Sequence, residues 1–333
     1  MDDMLLKIEN LRVEYQTDES TVYAVNGVDL ELETGETLGL IGETGAGKTS
    51  IALSIMRLLP ERTGKIISGR ITLNGTNITK ASENEMCNIR GEVVSMIFQD
   101  PMTSLNPVIE VGKQIDEVLL LHRPDMSAAE REKRTDEMLE MIGISPARKH
   151  EYPHQFSGGM KQRIVIAIAL ACEPMLLLAD EPTTALDVTI QAQMLEMMNQ
   201  LKEKLNTSIL LITHDFGVVA QTCEKVAVIY AGEVVEAGTV FDLFEGDQHH
   251  PYTEGLFGAI PHMNDDADKL HPIEGLMPDP TKPSKGCSFS DRCLHATEIC
   301  HTVKPECKEK TGHKIYCHLC TYPKGRKEAA SGE

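Results

Sequence analysis

Gly42-Glu43-Thr44-Gly45-Ala46-Gly47-Lys48-Thr49 is the stretch whose reading decides the fold of this chain. Thr37-Leu38-Gly39-Leu40-Ile41 precedes it and predicts a short buried strand. The apolar run Ile51, Ala52, Leu53, Ile55, Met56, Leu58 and Leu59 follows and predicts a buried helix closed by Pro60. Between a strand and a helix, GxxxxGKT reads as a phosphate-binding loop rather than a glycine-rich turn with a solvated lysine. The glycines let successive N–H groups point inward around an anion, and the helix start adds the positive end of its dipole. Lys48 supplies a charge for the β- and γ-phosphates, and the Thr49 hydroxyl is placed to ligate magnesium. Ser50 completes this candidate nucleotide-binding run.

Composition narrows the class. The 333 residues allow about two domains. Tryptophan is absent and aromatics are scarce, so the core has to be aliphatic. A formal net charge of −19 repels a phosphate backbone and argues against nucleic acid as partner. The acidic start Met1-Asp2-Asp3 does not resemble a signal peptide. The longest apolar run, Ile164 to Cys172, is far short of the ~20 residues that span a bilayer. The expectation is a soluble intracellular chain that meets a membrane only through a partner.

Residues 5 to 38 alternate polar and apolar, predicting antiparallel strands at the edge of the core, one of which ends at Tyr15. An aromatic there is commonly core, and the alternative is a platform for a nucleotide base. Arg70-Ile71-Thr72-Leu73-Asn74-Gly75 is a hairpin signal. Val93 to Phe98 predicts a buried strand ending at Gln99, a neutral side chain suited to touching a metal ion or a water. Helical spacing then runs to about residue 160, with Ser127 and Glu130 as a capping pair, and predicts a helical insertion over about 100–165. Its residues 125 to 137 read as a solvated charged face.

Gln155-Phe156-Ser157-Gly158-Gly159-Met160-Lys161-Gln162 opens an apolar helix, with Ser157 as N-cap. This is either an ordinary cap or a second anion-binding helix start. Met175 to Ala179 runs into Asp180-Glu181-Pro182. Paired acids at a strand end suit a magnesium-nucleotide site, Asp180 at the metal and Glu181 deprotonating water. A loop through Asp187, a helix over 190–201 and a strand over 208–212 follow, and the strand ends at Thr213-His214-Asp215. His214 could donate to a γ-phosphate.

In this order and spacing, GETGAGKT, Gln99, FSGGMKQ, LLLADE, the Ala185-Leu186-Asp187 loop and His214 resemble the ATP-binding-cassette ATPases, over roughly residues 5 to 250. The resemblance implies an α/β fold: a RecA-like core with an antiparallel β subdomain, a helical insertion and a small cysteine-rich C-terminal extension. It also implies a head-to-tail dimer burying two ATP molecules, in which Ser157, Gly158 and Gly159 of one subunit close on the γ-phosphate held by Lys48 of the other. Tyr15 then resembles the adenine-stacking aromatic, Glu181 the general base, His214 the switch histidine and Asp187 a residue communicating across the dimer.

Phe98 to Pro107, His250-Pro251-Tyr252-Thr253 and the cysteine tail are similar to the oligopeptide, dipeptide and nickel importer branch. That branch implies a second cassette, identical or homologous, two membrane permeases docked on the insertion, and an external peptide-binding protein. It places the chain at the cytoplasmic face of the cell membrane. A soluble ABC protein acting on nucleic acid through zinc-binding cysteines is the rival from another class. It expects a second cassette or a long insertion that this chain lacks.

The cassette is expected over 1–250 and the extension over 251–333, with 247 to 286 reading as a surface linker. Of nine cysteines, Cys87, Cys172 and Cys223 are scattered and six fall between 287 and 320. In peptide-importer ATPases four tail cysteines hold a 4Fe-4S cluster, and the matching positions are Cys287, Cys293, Cys300 and Cys317. Cys307 and Cys320 fall outside that pattern. Thiolates suit iron-sulfur or zinc. No CxxC pair occurs among the first three, which favours the cluster over a zinc ribbon, while Cys317-His318-Leu319-Cys320 is the pair that would support zinc.

Overall fold

Alternating and continuous apolar runs sort this chain into two sheets. The computed structural model describes residues 4–99, 103–183, 187–259 and 273–324. The alternating segments β1 (Met4–Gln16) and β2 (Thr21–Glu33) pair antiparallel and bury Leu6, Ile8, Leu11, Val13, Val28 and Leu32 on one face. Strand β3 (Thr37–Ile41) is buried throughout and leads into α1 (Lys48–Met56). That helix stops four residues before Pro60, not at it. Arg57 adopts a left-handed φ of 51° and Leu58 N–H bonds back to Leu53 O, so a Schellman-type turn ends it.

Strand β4 (Gly64–Leu73) pairs with β1 and, through the expected Asn74-Gly75 turn, with β5 (Thr76–Asn77). Both turn residues have positive φ, 46° and 76°, as that hairpin requires. Helix α2 (Glu83–Ile89) and strand β6 (Val94–Ile97) follow. Phe98, expected in the strand, lies outside it and is 43% exposed.

The helical region holds α3 (Val111–His122), α4 (Ala128–Met141) and α5 (Gly158–Leu170). Ser127 and Glu130 form the expected capping box of α4. The charged face is exposed at Glu130, Glu132 and Lys133, but Arg131 and Arg134 depart from the expected solvation by lying largely covered in pairs with Asp116 and Glu173, and Met138 and Leu139 turn inward. Then come β7 (Leu176–Asp180), α6 (Val188–Leu205), β8 (Ser208–Thr213), α7 (Phe216–Thr222), β9 (Lys225–Tyr230), β10 (Glu233–Thr239), α8 (Val240–Glu245) and α9 (Pro251–Gly258).

The main sheet runs β11-β12-β10-β9-β3-β8-β7-β6, its last two strands in chain order, β11 (Lys308–Lys310) and β12 (His313–Ile315), coming from the cysteine-rich tail after α10 (Glu298–Thr302). Five strands, β9, β3, β8, β7 and β6, are parallel. Parallel strands are covered on both faces, which explains their continuous apolar runs. One face packs α1 against the antiparallel sheet, and the other packs α3, α5 and α6.

A further apolar cluster joins Ile41, Phe216, Tyr230 and Tyr252 to Phe289, Cys287 and Cys300. The expected surface linker therefore departs from expectation: within it, α9 buries Tyr252 completely, because an aromatic ring removed from water outweighs the polar composition around it. Residues 260–272 of that stretch, like Asp100, Pro101 and Met102 and Ala185 and Leu186 of the loop before Asp187, lie outside the described residues.

Candidate active site

In parallel sheets the carboxyl ends of strands bring loops from distant sequence together. Here β3, β6, β7 and β8 end in the phosphate loop, Gln99, Asp180-Glu181 and Thr213-His214 respectively. The order β3-β8-β7-β6 makes all four ends neighbours.

The loop after β3 is packed too tightly for side chains at two positions. A Cβ on Gly42 would sit 2.2 Å from Ile229 O, and one on Gly47, where φ is 102°, 2.3 Å from Ala24 O. Lys48 is 6% exposed, and its Nζ donates to Gly42 O at 2.6 Å and Glu43 O at 3.0 Å. Burial lowers its pKa, against the opposing pull of Glu181, Asp180 and Glu43.

Thr49 Oγ1 donates to Asp180 Oδ2 at 2.7 Å. Burial raises the Asp180 carboxyl, while the Thr49 bond pulls it back. Thr49 hydroxyl, Asp180 carboxylate and Gln99 amide form an all-oxygen donor set, the chemistry magnesium selects. These residues fit the ion the sequence implied.

Glu181 is the junction of the site. Gln99 Nε2 donates to its Oε2 at 3.2 Å, and His214 Nδ1 donates to its Oε1 at 3.3 Å. Its backbone has φ of 48°, unusual for a non-glycine residue, and its N–H bonds to Ile212 O at 2.9 Å. Strain of this kind persists only where the surroundings over-determine the conformation, and it gathers at functional positions.

A cleft of about 490 Å³ is lined by Tyr15, Thr44, Gly45, Lys48, Gln99 and Glu181 among others. Tyr15 Oη lies 3.0 Å from Ser50 Oγ, so the ring stands at the rim of the phosphate loop.

Ser157, Gly158, Gly159 and Asp187 are not among the residues lining that cleft. Ser157 is the N-cap of α5, as expected, but makes no side-chain cap bond and is exposed. Phe156 before it is buried beneath the Arg148 guanidinium, 4.2 Å from the ring centre. A Cβ on Gly159 would meet Ile190 Cγ2 at 3.0 Å, and Asp187 caps α6 by accepting from Ile190 N–H at 2.9 Å. The serine-glycine turn and the Asp187 loop are thus packed as one surface.

In the tail, burial pushes the Cys287 thiol up to about 11, and Cys317, Cys300 and Cys293 add to it. Burial likewise raises Cys293 and Cys317, each with Cys300 as a further neighbour. The four expected ligands therefore share one neighbourhood. Cys307 keeps other company, with Tyr316, Lys314, Glu309 and Cys320. Among the described residues, the one trio of His, Cys, Asp or Glu donors within 4.8 Å of one another is Glu236, His249 and His313.

Sequence reasoning missed two side chains that hold the phosphate loop. Glu43 N–H donates to Tyr252 Oη at 3.0 Å, and the Glu43 carboxylate pairs with Arg292 at 2.7 Å. Tyr252 had a signal in the His250-Pro251-Tyr252-Thr253 stretch. Arg292, 249 residues from its partner, had none.

The fold and this convergence of side chains define a P-loop ATPase cassette. Two families match the chain: ABC transporter over residues 25–184, and oligopeptide/dipeptide transporter, C-terminal region, over residues 235–300. The oligopeptide transport ATP-binding protein AppD of Bacillus subtilis is 50% identical over 318 residues, 95% of this chain and 96% of that protein. The dipeptide transport ATP-binding protein DppD of the same organism is 47% identical over 320 residues, 95% of each chain. A dimeric, post-hydrolysis ATP-binding cassette bound to ADP and Pi superposes with TM-score 0.63 and 28% identity, covering 71% of this chain and 99% of that one. For cbiO1 from Clostridium perfringens, part of an ABC transporter complex, the values are 0.64 and 28%, over 73% and 92%. The chain belongs to the ATP-binding subunits of ABC transporters, in the oligopeptide/dipeptide branch. It is an ABC-type ATPase. No helix among the described residues is long and apolar enough to cross a membrane.

Proposed function

We propose that this protein hydrolyses ATP to drive peptide import through a membrane ABC transporter. The observation that carries the reading is Glu181, held between Gln99 and His214 beside a buried phosphate-loop lysine. In the reaction, water attacks the γ-phosphorus, its proton passes to Glu181, and the bond to the β–γ bridging oxygen breaks to leave ADP and phosphate. Lys48 and the loop amides of 42–49 bind the phosphates, Tyr15 takes the adenine face, and His214 orients Glu181 and the γ-phosphate. Thr49, Asp180 and Gln99 would hold magnesium, which neutralises phosphate charge when bound.

Two chains meet head to tail, Ser157, Gly158 and Gly159 of one covering the γ-phosphate held by Lys48 of the other, with Asp187 at the junction. The partner cassette is a copy or a homologue. Two permeases dock on the helical region over 100–165, and an external receptor delivers peptide. The cassette spans 1–250 and the extension 251–333, and the assembly places the chain at the cytoplasmic face of the membrane. Support comes from the names of the relatives and from the exposed, unbonded Ser157. Co-purification from membranes should bring down two permeases, and ATPase activity of the reconstituted complex should rise with peptide-loaded receptor. A complex stimulated by another solute and indifferent to peptide would overturn the substrate.

Cys287, Cys293, Cys300 and Cys317 hold a 4Fe-4S cluster that staples the tail. Anaerobically purified protein should be brown and carry about four iron and four sulfide per chain. A colourless protein with stoichiometric zinc would remove this part alone.

A further inference from the structure

Glu43 is the second residue of the phosphate loop. A carboxylate beside a triphosphate opposes binding unless its charge is met, since two like charges in a partly buried site repel strongly. The charge is met by the tail. Arg292 Nη1 is 2.7 Å from Glu43 Oε2 and Nη2 is 3.1 Å from Oε1, a two-pronged pair. The rest of the guanidinium is also engaged: Nε donates to Glu274 O at 3.0 Å, Nη2 to Ile273 O at 3.2 Å and Nη1 to Tyr230 Oη at 3.3 Å. Its carbon lies 5.7 Å from the Tyr230 ring centre and 6.0 Å from that of Phe289. So many fixed contacts on a side chain 6% exposed leave it one position.

The contact reaches the reactive lysine in one step. Glu43 offers its carboxylate to Arg292, its N–H to Tyr252 Oη and its carbonyl to Lys48 Nζ. The same tail segment walls the cleft. Met277, Pro278, Pro280 and Lys282 line it together with Tyr15, and Tyr23 N–H donates to Pro280 O at 2.9 Å.

We propose that Arg292 is a positioning residue of the phosphate loop: it cancels the Glu43 carboxylate and fixes the loop backbone, so that the C-terminal segment sets the affinity for nucleoside triphosphate. This rests on the cleft being the nucleotide site.

The test uses the full-length chain with a fluorescent ATP or ADP analogue and magnesium, together with steady-state hydrolysis. Arg292→Gln should weaken ATP binding roughly tenfold and ADP binding less, because ADP carries less charge, with KM raised and kcat within about twofold. Arg292→Lys, which keeps the charge without the fork, should fall between. The double variant Glu43→Gln/Arg292→Gln should recover most of the loss, which a purely structural role would not allow. Unchanged ATP affinity in Arg292→Gln, or a double variant as weak as the single, overturns the proposal. If Arg292→Gln does not fold, Glu43→Gln alone decides: tighter ATP binding supports the charge argument, and equal or weaker binding overturns it. A wild-type chain that binds no ATP removes the nucleotide site itself, a different result from wild-type binding that Arg292→Gln leaves intact.

Discussion

The chain carries two glycine-rich helix starts, and they differ in nearly every physical respect. At α1 Gly42 and Gly47 are pressed against backbone and Ala46 and Lys48 are buried, while Thr44, Gly45 and Thr49 are exposed to the cleft side. At α5 Ser157 is exposed and caps no amide, Gly158 and Gly159 are half-buried, and Phe156 behind them is buried. The first is organised within one molecule by strand ends and by the tail. The second packs Phe156 into its own chain and leaves the Ser157 side chain exposed, as the proposed head-to-tail contact requires.

Substitutions should separate the two. Lys48→Ala should have the largest effect, abolishing measurable ATP binding and turnover, because Lys48 is the buried cation at the start of α1, next to the loop amides. Retained turnover would mean that α1 is not the phosphate site. Glu181→Gln should keep ATP affinity and cut hydrolysis about 10³-fold, trapping a closed dimer visible by gel filtration or light scattering. Normal hydrolysis in this variant would move the base elsewhere.

Ser157→Arg sharpens the contrast most directly. The exposed serine side chain caps no amide of its own helix, so stability should change by about 0.5 kcal/mol or less and ATP should still bind, while hydrolysis falls about 10²-fold for want of the proposed dimer closure. A loss of ATP binding by the single chain would show that the second helix start belongs to the first site.

The smallest effect concerns the tail's anchorage. Glu236 is fully buried, and its Oε1 meets His249 Nδ1 at 2.9 Å and His313 Nε2 at 2.8 Å. Burial alone would raise its pKa, but these bonds and the His250 amide outweigh it and hold the carboxyl at about 2, while the carboxylate raises His249 above its ordinary 6.5. A depressed carboxylate contributes stability that is present above its ordinary 4.5 and lost as pH falls toward 2. A raised histidine contributes below 6.5 and loses it as pH rises through its folded value. Stability from this group should therefore be greatest between about pH 4.5 and 6.5, and Glu236→Gln, which keeps an accepting oxygen but loses the charge, should lower it there by about 2 kcal/mol and flatten both limbs. Denaturant midpoints that respond to pH identically in both proteins would contradict this.

Much of the nucleotide site was legible because its chemistry travels in short contiguous pieces. Backbone amides, a lysine and a magnesium-ligating hydroxyl must be adjacent along the chain to surround one phosphate, so GETGAGKT carries its own reading. Asp180 and Glu181, Gln99 and His214 were legible as polar residues ending apolar strands. Their meeting was not, since it depends on the order β3-β8-β7-β6, which short-range pattern does not encode.

The sequence by itself determined the class of chemistry and the strand and helix periods, because each is a local arrangement of residue types. Only the tertiary structure decided that the tail adds two strands to the main sheet, that Tyr252 and Arg292 hold Glu43, and that Ser157 faces outward. Those depend on contacts between residues up to 249 positions apart, where geometry rather than spacing selects the partner.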